Sequence, residues 1–282
     1  MMRYLISIWV LTITAIDALA GGLVAPYQID GNLRMEFIEV GGVALNAVRI
    51  DPMLYSVKLL TAQDPELQID KLQLERCKSF GELSPSAGDW CLGESSMNAT
   101  INGREIDSFF LHDYLRRSDA ILVQNGGNMA SFSPPRPLGL VVSKGRKYSS
   151  VSPSPELNGF ACFGEYEVKI TADGDDIEGD CLQAGPLFLW NGAAYSISDI
   201  QMSEDQRHSF ICTTTETNQI VMGVSQPALL GRLADVLRST FNCENALRLS
   251  GEDTVGLTSR TAKISEDILP LQNVLGVFRK DN

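Results

Sequence analysis

The sequence predicts an α+β fold: a single domain with a central mixed or antiparallel β-sheet core and helices packed against it. Three observations carry that expectation. Between Leu33 and Ala62 three apolar runs are separated by Gly41-Gly42 and Asp51-Pro52, the punctuation of strands joined by turns. Further short apolar or alternating runs recur from Ile121 to Val224. After Ser225-Gln226-Pro227, one helical face collects Leu229, Leu230, Leu233, Val236, Leu237 and Phe241. A hydrophobic content of 44% is enough for a proper core.

Residues 1–20 read as a signal peptide rather than as part of the fold. Arg3 supplies the positive start, Leu5 to Ile16 is mostly apolar, and Ala18-Leu19-Ala20 is a small-x-small cleavage site. Cleavage after Ala20 leaves 21–282 as one domain with no stable membrane span, in the periplasm or secreted. The charge balance is 23 Lys plus Arg against 35 Asp plus Glu. No basic stripe with interleaved aromatics is present, so nucleic acid is not an expected partner.

The six cysteines are Cys77, Cys91, Cys162, Cys181, Cys212 and Cys243. An even count in an exported chain points to disulfides. Sequential pairing, Cys77–Cys91, Cys162–Cys181 and Cys212–Cys243, needs only modest loops. Close C-x-x-C spacing is absent and His112 and His208 are the only histidines, so neither a metal site nor a cofactor is expected. Asp173, Asp175, Asp176, Glu178 and Asp180 lack EF-hand spacing and read as a solvated hairpin tip. Asn98-Ala99-Thr100 matches a glycosylation sequon, a common triplet.

The remaining elements follow in order. Residues 63–98 look irregular or weakly helical. Phe109 to Arg117 suits a short helix with Ser108 as N-cap. It leads into Ile121 to Val123, a buried strand that stops at Gln124-Asn125-Gly126-Gly127. Paired glycines there admit positive φ and close approach of another chain or a ligand; an ordinary strand-to-loop turn uses the same residues. Pro134 to Pro137 reads as a rigid loop, Leu138 to Val142 as a strand, and Ser143-Lys144-Gly145-Arg146 as a hairpin turn. Phe160 to Thr171 alternates as one or two strands. In Gln183-Ala184-Gly185-Pro186 the Gly-Pro step breaks the ladder, and Gln183 can present its amide to a cleft. Asn191-Gly192 is a tight turn. Phe210 to Thr215 and Ile220 to Val224 are strands. The amphipathic helix ends near Asn242-Cys243, and Ala246 to Leu249 is a short strand stopping at Ser250-Gly251-Glu252. The final thirty or so residues look irregular, with a strand at Val274 to Phe278.

This succession of motifs resembles the phosphodiester glycosidase family, whose pattern runs A-x-N-G-G-x-F, P-x-G-L-x-x-x-x-G, Q-S-G-P-x-L, a lone Arg, then A-L-N-L-D-G-G. Asn125, Gly126 and Gly127 match the first motif. Pro137, Gly139, Leu140 and Gly145 match the second, Gln183, Gly185 and Pro186 the third, and Arg207 the lone Arg. The resemblance covers approximately residues 33–260. The last motif departs: Arg248, Ser250 and Glu252 stand where the family has Asn, Asp and the second Gly.

The resemblance implies a cleft where these segments converge, and an exported hydrolase of a sugar phosphodiester or related glycan linkage. In that reading Arg207 holds phosphate by charge-assisted hydrogen bonds. Asn125, Gln183 and the backbone at Gly126, Gly127, Gly185 and Gly251 line the substrate site. A glycosidase needs a carboxyl group for acid–base work. With the family aspartate replaced by Ser250, Glu252 and Asp253 are the catalytic candidates. The alternative is a non-catalytic binding protein that holds an anionic glycan in the same cleft.

Overall fold

The computed structural model describes residues 26–67, 109–132, 135–172, 174, 177–195, 205–215, 218–261 and 269–280. The signal segment, the Cys77–Cys91 pairing, the sequon and three of the five hairpin-tip acids lie outside them. Within them the chain is built almost entirely of antiparallel strands. The largest sheet has the order β1 (Tyr27–Asp30), β2 (Leu33–Val40), β3 (Val43–Ile50), β16 (Ile220–Ser225), β15 (His208–Thr214), β17 (Cys243–Gly251), β13 (Leu187–Trp190), β14 (Ala193–Ala194). A five-stranded sheet runs β11 (Val168–Thr171), β10 (Gly159–Phe163), β12 (Asp180–Ala184), β8 (Val141–Ser143), β9 (Arg146–Ser149). A four-stranded sheet runs β18 (Leu257–Ser259), β5 (Leu122–Asn125), β19 (Asn273–Arg279), β4 (Tyr55–Thr61). A ribbon pairs β6 (Met129–Phe132) with β7 (Pro135–Pro137).

This architecture overturns the α+β expectation. Among the described residues the α-helices are α1 (Leu111–Arg117) and α2 (Leu230–Phe241), and they cover sheets rather than form a layer of comparable weight. The reason is one of signal length. A 3.6-residue stripe over twelve residues is conspicuous, whereas strands of three or four residues show too little alternation to count. Segments read as loop or irregular chain accordingly prove to be strand: β7 within the prolines, β9, β18, and β17, which extends well beyond Ala246–Leu249.

Local chemistry explains the element ends. Lys144-Gly145 and Asn191-Gly192 carry successive positive φ values of 53° and 72°, and 52° and 73°, the twist that a two-residue hairpin turn requires. Asn242, at φ 55° and ψ 38°, ends α2 in the left-handed cap that Asn tolerates. The helix begins at Leu230, three residues after Pro227.

The main core lies between the sheets, where Leu59, Leu122, Leu182, Ile211, Met222, Leu247 and Leu275 meet. The opposite face of the largest sheet buries Phe188 and Phe210 against Leu233, Leu237 and Phe241 of α2. Helix α1 sets Tyr114 against Val123 and Val274 of the four-stranded sheet. Each large apolar side chain so buried contributes about 1.5–3 kcal/mol. Cys162 and Cys181 are direct cross-strand partners in β10 and β12, with Cα atoms 4.1 Å apart, and they form a disulfide. Cys212–Cys243 ties β15 to the start of β17 across the helical connection. Both bridges suit an oxidising compartment. Among the described residues no helix is long and apolar enough to cross a membrane.

Candidate anion-binding site

Strand β5 delivers Gln124 and Asn125, both with no solvent exposure, to the junction of the four-stranded and largest sheets. Gln124 Nε2 lies 2.7 Å from Ser209 Oγ, 2.9 Å from the Phe210 carbonyl and 3.2 Å from the Gly223 carbonyl. It is a polar tie between two sheets, and its Oε1 is buried without a hydrogen-bond partner. Asn125 Nδ2 donates to Ser250 Oγ at 2.5 Å, and Asn125 Oδ1 accepts from the Gly256 amide at 3.0 Å. The Ser250 amide donates to the Gly126 carbonyl at 3.2 Å. The end of β5 and the end of β17 are thereby clamped together.

Gly126 must be glycine. A Cβ there would lie 2.0 Å from Asn273 Oδ1 and 2.9 Å from the Asn273 carbonyl. The close approach lets the amides of Gly126 and Gly127 donate to the Asn273 carbonyl and Oδ1, at 3.2 and 2.9 Å. Gly127 in turn abuts Leu182 and the Gln183 carbonyl, and Gly139 abuts Gln183 Oε1. Three of the motifs singled out in the sequence therefore touch one another.

Gln183 does not present a spare amide. Its Oε1 accepts from the amides of Leu140 and Ser152 at 3.1 and 2.8 Å. Its Nε2 donates to the carbonyls of Ser152 and Leu157 at 2.9 and 2.7 Å. Three of these hydrogen bonds staple the 152–157 loop to β12 and the fourth holds Leu140, just before β8, and Gly185 packs against the Glu156 carbonyl in that loop. Asn125 is likewise committed to the fold through Ser250 and Gly256.

Gly251 and Arg207 occupy the open end of the β15–β17 pair. Gly251 is the register partner of His208, next to a bulge that separates it from the Phe210–Arg248 pair. A Cβ on Gly251 would meet Arg248 Nη2 at 2.0 Å and the Arg207 carbonyl at 3.4 Å. Glycine thus lets the Arg248 guanidinium lie across the strand, where its Nη2 donates to Gln206 Oε1 at 3.1 Å. Arg207 is half-buried, and its Nε is buried with no hydrogen-bond partner. No carboxylate pairs with it among the described residues. Glu252 opens a 3-10 turn, Glu252–Thr254, directly after Gly251, and Asp253 in that turn is exposed.

His208 completes the cluster. It is 2% exposed, and its Nε2 lies 2.9 Å from the Ala228 carbonyl, which makes Nε2 the donor. Its Nδ1 is buried without a hydrogen-bond partner. Burial, aided by the Arg248 cation, pushes the imidazole down to about 4, with the bond to the Ala228 carbonyl acting the other way. At neutral pH the ring is therefore uncharged.

The residues that sequence reading passed over are Asn273, Gln124 and His208. Asn273 had a visible signal: a polar residue heading the apolar run Val274–Phe278. Two open grooves, of about 490 and 470 Å³, flank the β10–β11 turn at Phe163-Gly164 and share no residue with the cluster. Neither holds paired buried cations or an unpartnered buried donor, so the functional argument stays with Arg207. Among the described residues no group of three His, Cys, Asp or Glu side chains could hold a metal ion.

No family model and no curated protein matches the sequence. Solved structures do match in fold. A hypothetical protein from Synechocystis superposes with a TM-score of 0.59 at 13% identity, over 88% of this chain; the chain spans 62% of that protein's length. The catalytic domain of zebrafish N-acetylglucosamine-1-phosphodiester alpha-N-acetylglucosaminidase, auto-inhibited by its pro-peptide, gives 0.58 at 13% identity. The match covers 89% of this chain and 83% of that one. A Burkholderia pseudomallei K96243 protein whose name calls it exported gives 0.51 at 8% identity, over 86% and 74%. The chain thus shares its fold with these structures, and at these identities the likeness is one of fold alone.

Proposed function

We propose that the protein recognises a sugar phosphodiester or a related anionic glycan at the open end of the β15–β17 pair, outside the cytoplasm. The single observation that carries this reading is Arg207. A half-buried guanidinium whose Nε lacks a partner is costly to keep unless something anionic completes it. A phosphate or carboxylate oxygen pair matches the planar fork. Arg248, whose guanidinium fills the space that a side chain at Gly251 would take, adds positive potential at the same strand end.

Binding without turnover is the reading favoured here. At the position of the family's aspartate stands Ser250, buried and hydrogen-bonded to Asn125. A hydroxyl so placed supplies no general acid. Hydrolysis is the second reading, favoured by the acidic turn that directly follows Gly251. There, Glu252 or Asp253 would be the proton donor to the leaving oxygen.

Calorimetry with a model sugar phosphodiester tests the site. Arg207→Lys keeps the charge and loses the fork, so affinity should fall roughly tenfold or more while the fold is retained, the worth of one charge-assisted hydrogen bond. Unchanged affinity in that variant removes Arg207 from the site. Turnover of the same compound tests hydrolysis: if Glu252 is the acid, Glu252→Gln should lower the rate by about 10² to 10⁴ with affinity retained.

A further inference from the structure

We infer that Asn191 is a site of spontaneous covalent modification, at which the carboxamide closes on the Gly192 amide and reopens as aspartate or isoaspartate. Asn125 and Asn158 stand in the same Asn-Gly sequence and are protected by the fold. The inference is independent of the anion site and concerns the margin of the largest sheet.

The chemistry sets the requirements. The Gly192 nitrogen loses its proton and forms a bond to Asn191 Cγ, and the carboxamide nitrogen leaves with a proton as ammonia. Water then opens the cyclic imide at either carbonyl, which gives aspartate or isoaspartate and restores the amide proton. Water is the only other reactant. Glycine in the second position offers no Cβ to block the approach. Every Asn-Gly pair is therefore competent by composition, and the fold decides which one reacts. Two of the pairs among the described residues are locked. Asn125 has no solvent exposure; its Nδ2 donates to Ser250 Oγ, its Oδ1 accepts from the Gly256 amide, and the Gly126 amide is held by the Asn273 carbonyl. Asn158 Oδ1 accepts from the Leu187 amide at 2.7 Å. Gly159 pairs with Ala184 in the β10–β12 ladder, packed so that a Cβ would lie 2.4 Å from Leu247 Cδ1. A further pair, Asn102-Gly103, lies outside the described residues.

Asn191 differs on each count. It is exposed, its carboxamide makes no hydrogen bond among the described residues, and open space lies where a Cβ on Gly192 would stand. Its hairpin is slight. Strand β14 pairs with β13 through Leu189–Ala194 and Trp190–Ala193, and the Tyr195 amide adds a bond to the Phe188 carbonyl. Both residues of β14 are exposed, and the strand is the last of its sheet. The tip is held by the Gly192 amide, which donates to the Glu244 carbonyl at 2.8 Å, and by the Asn191 amide, which donates to Asn245 Oδ1 at 3.0 Å. Asn191 itself sits at φ 52°, a conformation that costs an L-residue energy and that opening relieves. Releasing these few contacts frees the Gly192 amide to attack, and exposed margins open at far lower free energy than core strands. Isoaspartate then routes the backbone through an extra methylene. The turn loses the geometry that a two-residue hairpin requires, and β14 is released from β13.

The experiment uses the mature chain with its disulfides intact. It is incubated at neutral and at mildly alkaline pH, folded and in concentrated urea, and the peptides carrying Asn125, Asn158 and Asn191 are followed by mass spectrometry against a digest taken at time zero. In the folded chain Asn191 should convert about tenfold or more faster than Asn125 and Asn158, the difference in opening between a sheet margin and the core. Isoaspartate should exceed aspartate, and the rate should rise with pH because the attacking amide must lose its proton. In urea the rates at the three positions should converge. Asn245→Ala removes one contact that holds the tip and should speed conversion at Asn191 about two- to tenfold, the worth of one hydrogen bond. Conversion of folded Asn191 no faster than that of Asn125 or Asn158 overturns the inference. An unchanged Asn191 rate in N245A overturns opening of the tip as the step that exposes the amide. Should N245A fail to fold, the comparison of folded and urea-unfolded wild type decides: a folded chain in which Asn191 is as protected as the two buried positions refutes the assignment.

Discussion

The ligand-free His208 ring makes a sharp prediction about stability. An imidazole free in the unfolded chain titrates near 6.5, and the folded one near 4. Below pH 6.5 the unfolded state therefore binds more protons than the folded state, and stability falls as pH falls. Its contribution is fully present above about pH 6.5 and is lost as pH drops through about 4. The fall from about 6.5 to about 4 corresponds to about 3 kcal/mol in full, of which about 2 kcal/mol is already lost at pH 5. The ring is 2% exposed, so little screening by water applies. Urea unfolding at about pH 5, 6 and 7.5, for wild type and for His208→Gln, isolates the effect. Carboxylates elsewhere titrate equally in both proteins and cancel in the difference. Between pH 5 and 7.5 the wild type should gain about 2 kcal/mol more than the variant. Parallel curves would show that the ring is hydrated or already charged in the folded protein, and the burial argument would fail.

Two further outcomes follow from the geometry. Gly126→Ala places a methyl group 2.0 Å from Asn273 Oδ1 and 2.9 Å from its carbonyl, so the melting temperature should drop by an amount equivalent to about 1–3 kcal/mol, the usual cost of overpacking; an unchanged melting temperature would mean the β5–β19 junction is looser than described. Replacing Cys212 and Cys243 by Ser opens a link of sequence separation 31, which should lower the denaturant-derived stability by about 3–4 kcal/mol on the chain-entropy account, and a loss near zero would contradict it.

How much of this was legible in the sequence depended on the range of the interaction concerned. The turn at Asn191-Gly192, the cap at Asn242 and the face of α2 are local matters, and local composition announces them. The disulfides Cys162–Cys181 and Cys212–Cys243 also followed from proximity along the chain. Sheet order did not. Strand β5 pairs with β18 and β19, more than a hundred residues away, and nothing near Leu122–Asn125 encodes that choice. The weight of β structure was underestimated because β7, β8 and β18 are three residues long, too short for a period of two to be counted.

The site shows the same division. Glycines at 126, 127 and 251 were picked out by type, and the structure supplies their reason in the contacts a Cβ would make. The amides of Asn125 and Gln183 drew attention as ligand donors, yet their hydrogen bonds are spent inside the fold. A polar residue in a motif does not reveal from sequence whether it faces a ligand or its own backbone. That depends on loops such as 152–157, which only the fold brings near. Arg207 differs because its buried Nε has no hydrogen-bond partner among the described residues.

The most direct measurement is a crystal structure of the mature protein with a sugar phosphodiester bound. A phosphate oxygen should lie about 3 Å from the Arg207 guanidinium, the distance of a charge-assisted hydrogen bond, with Gly251 and Arg248 flanking it. Phosphate density in another groove, such as that at Phe163-Gly164, with Arg207 unengaged, would contradict the proposed site.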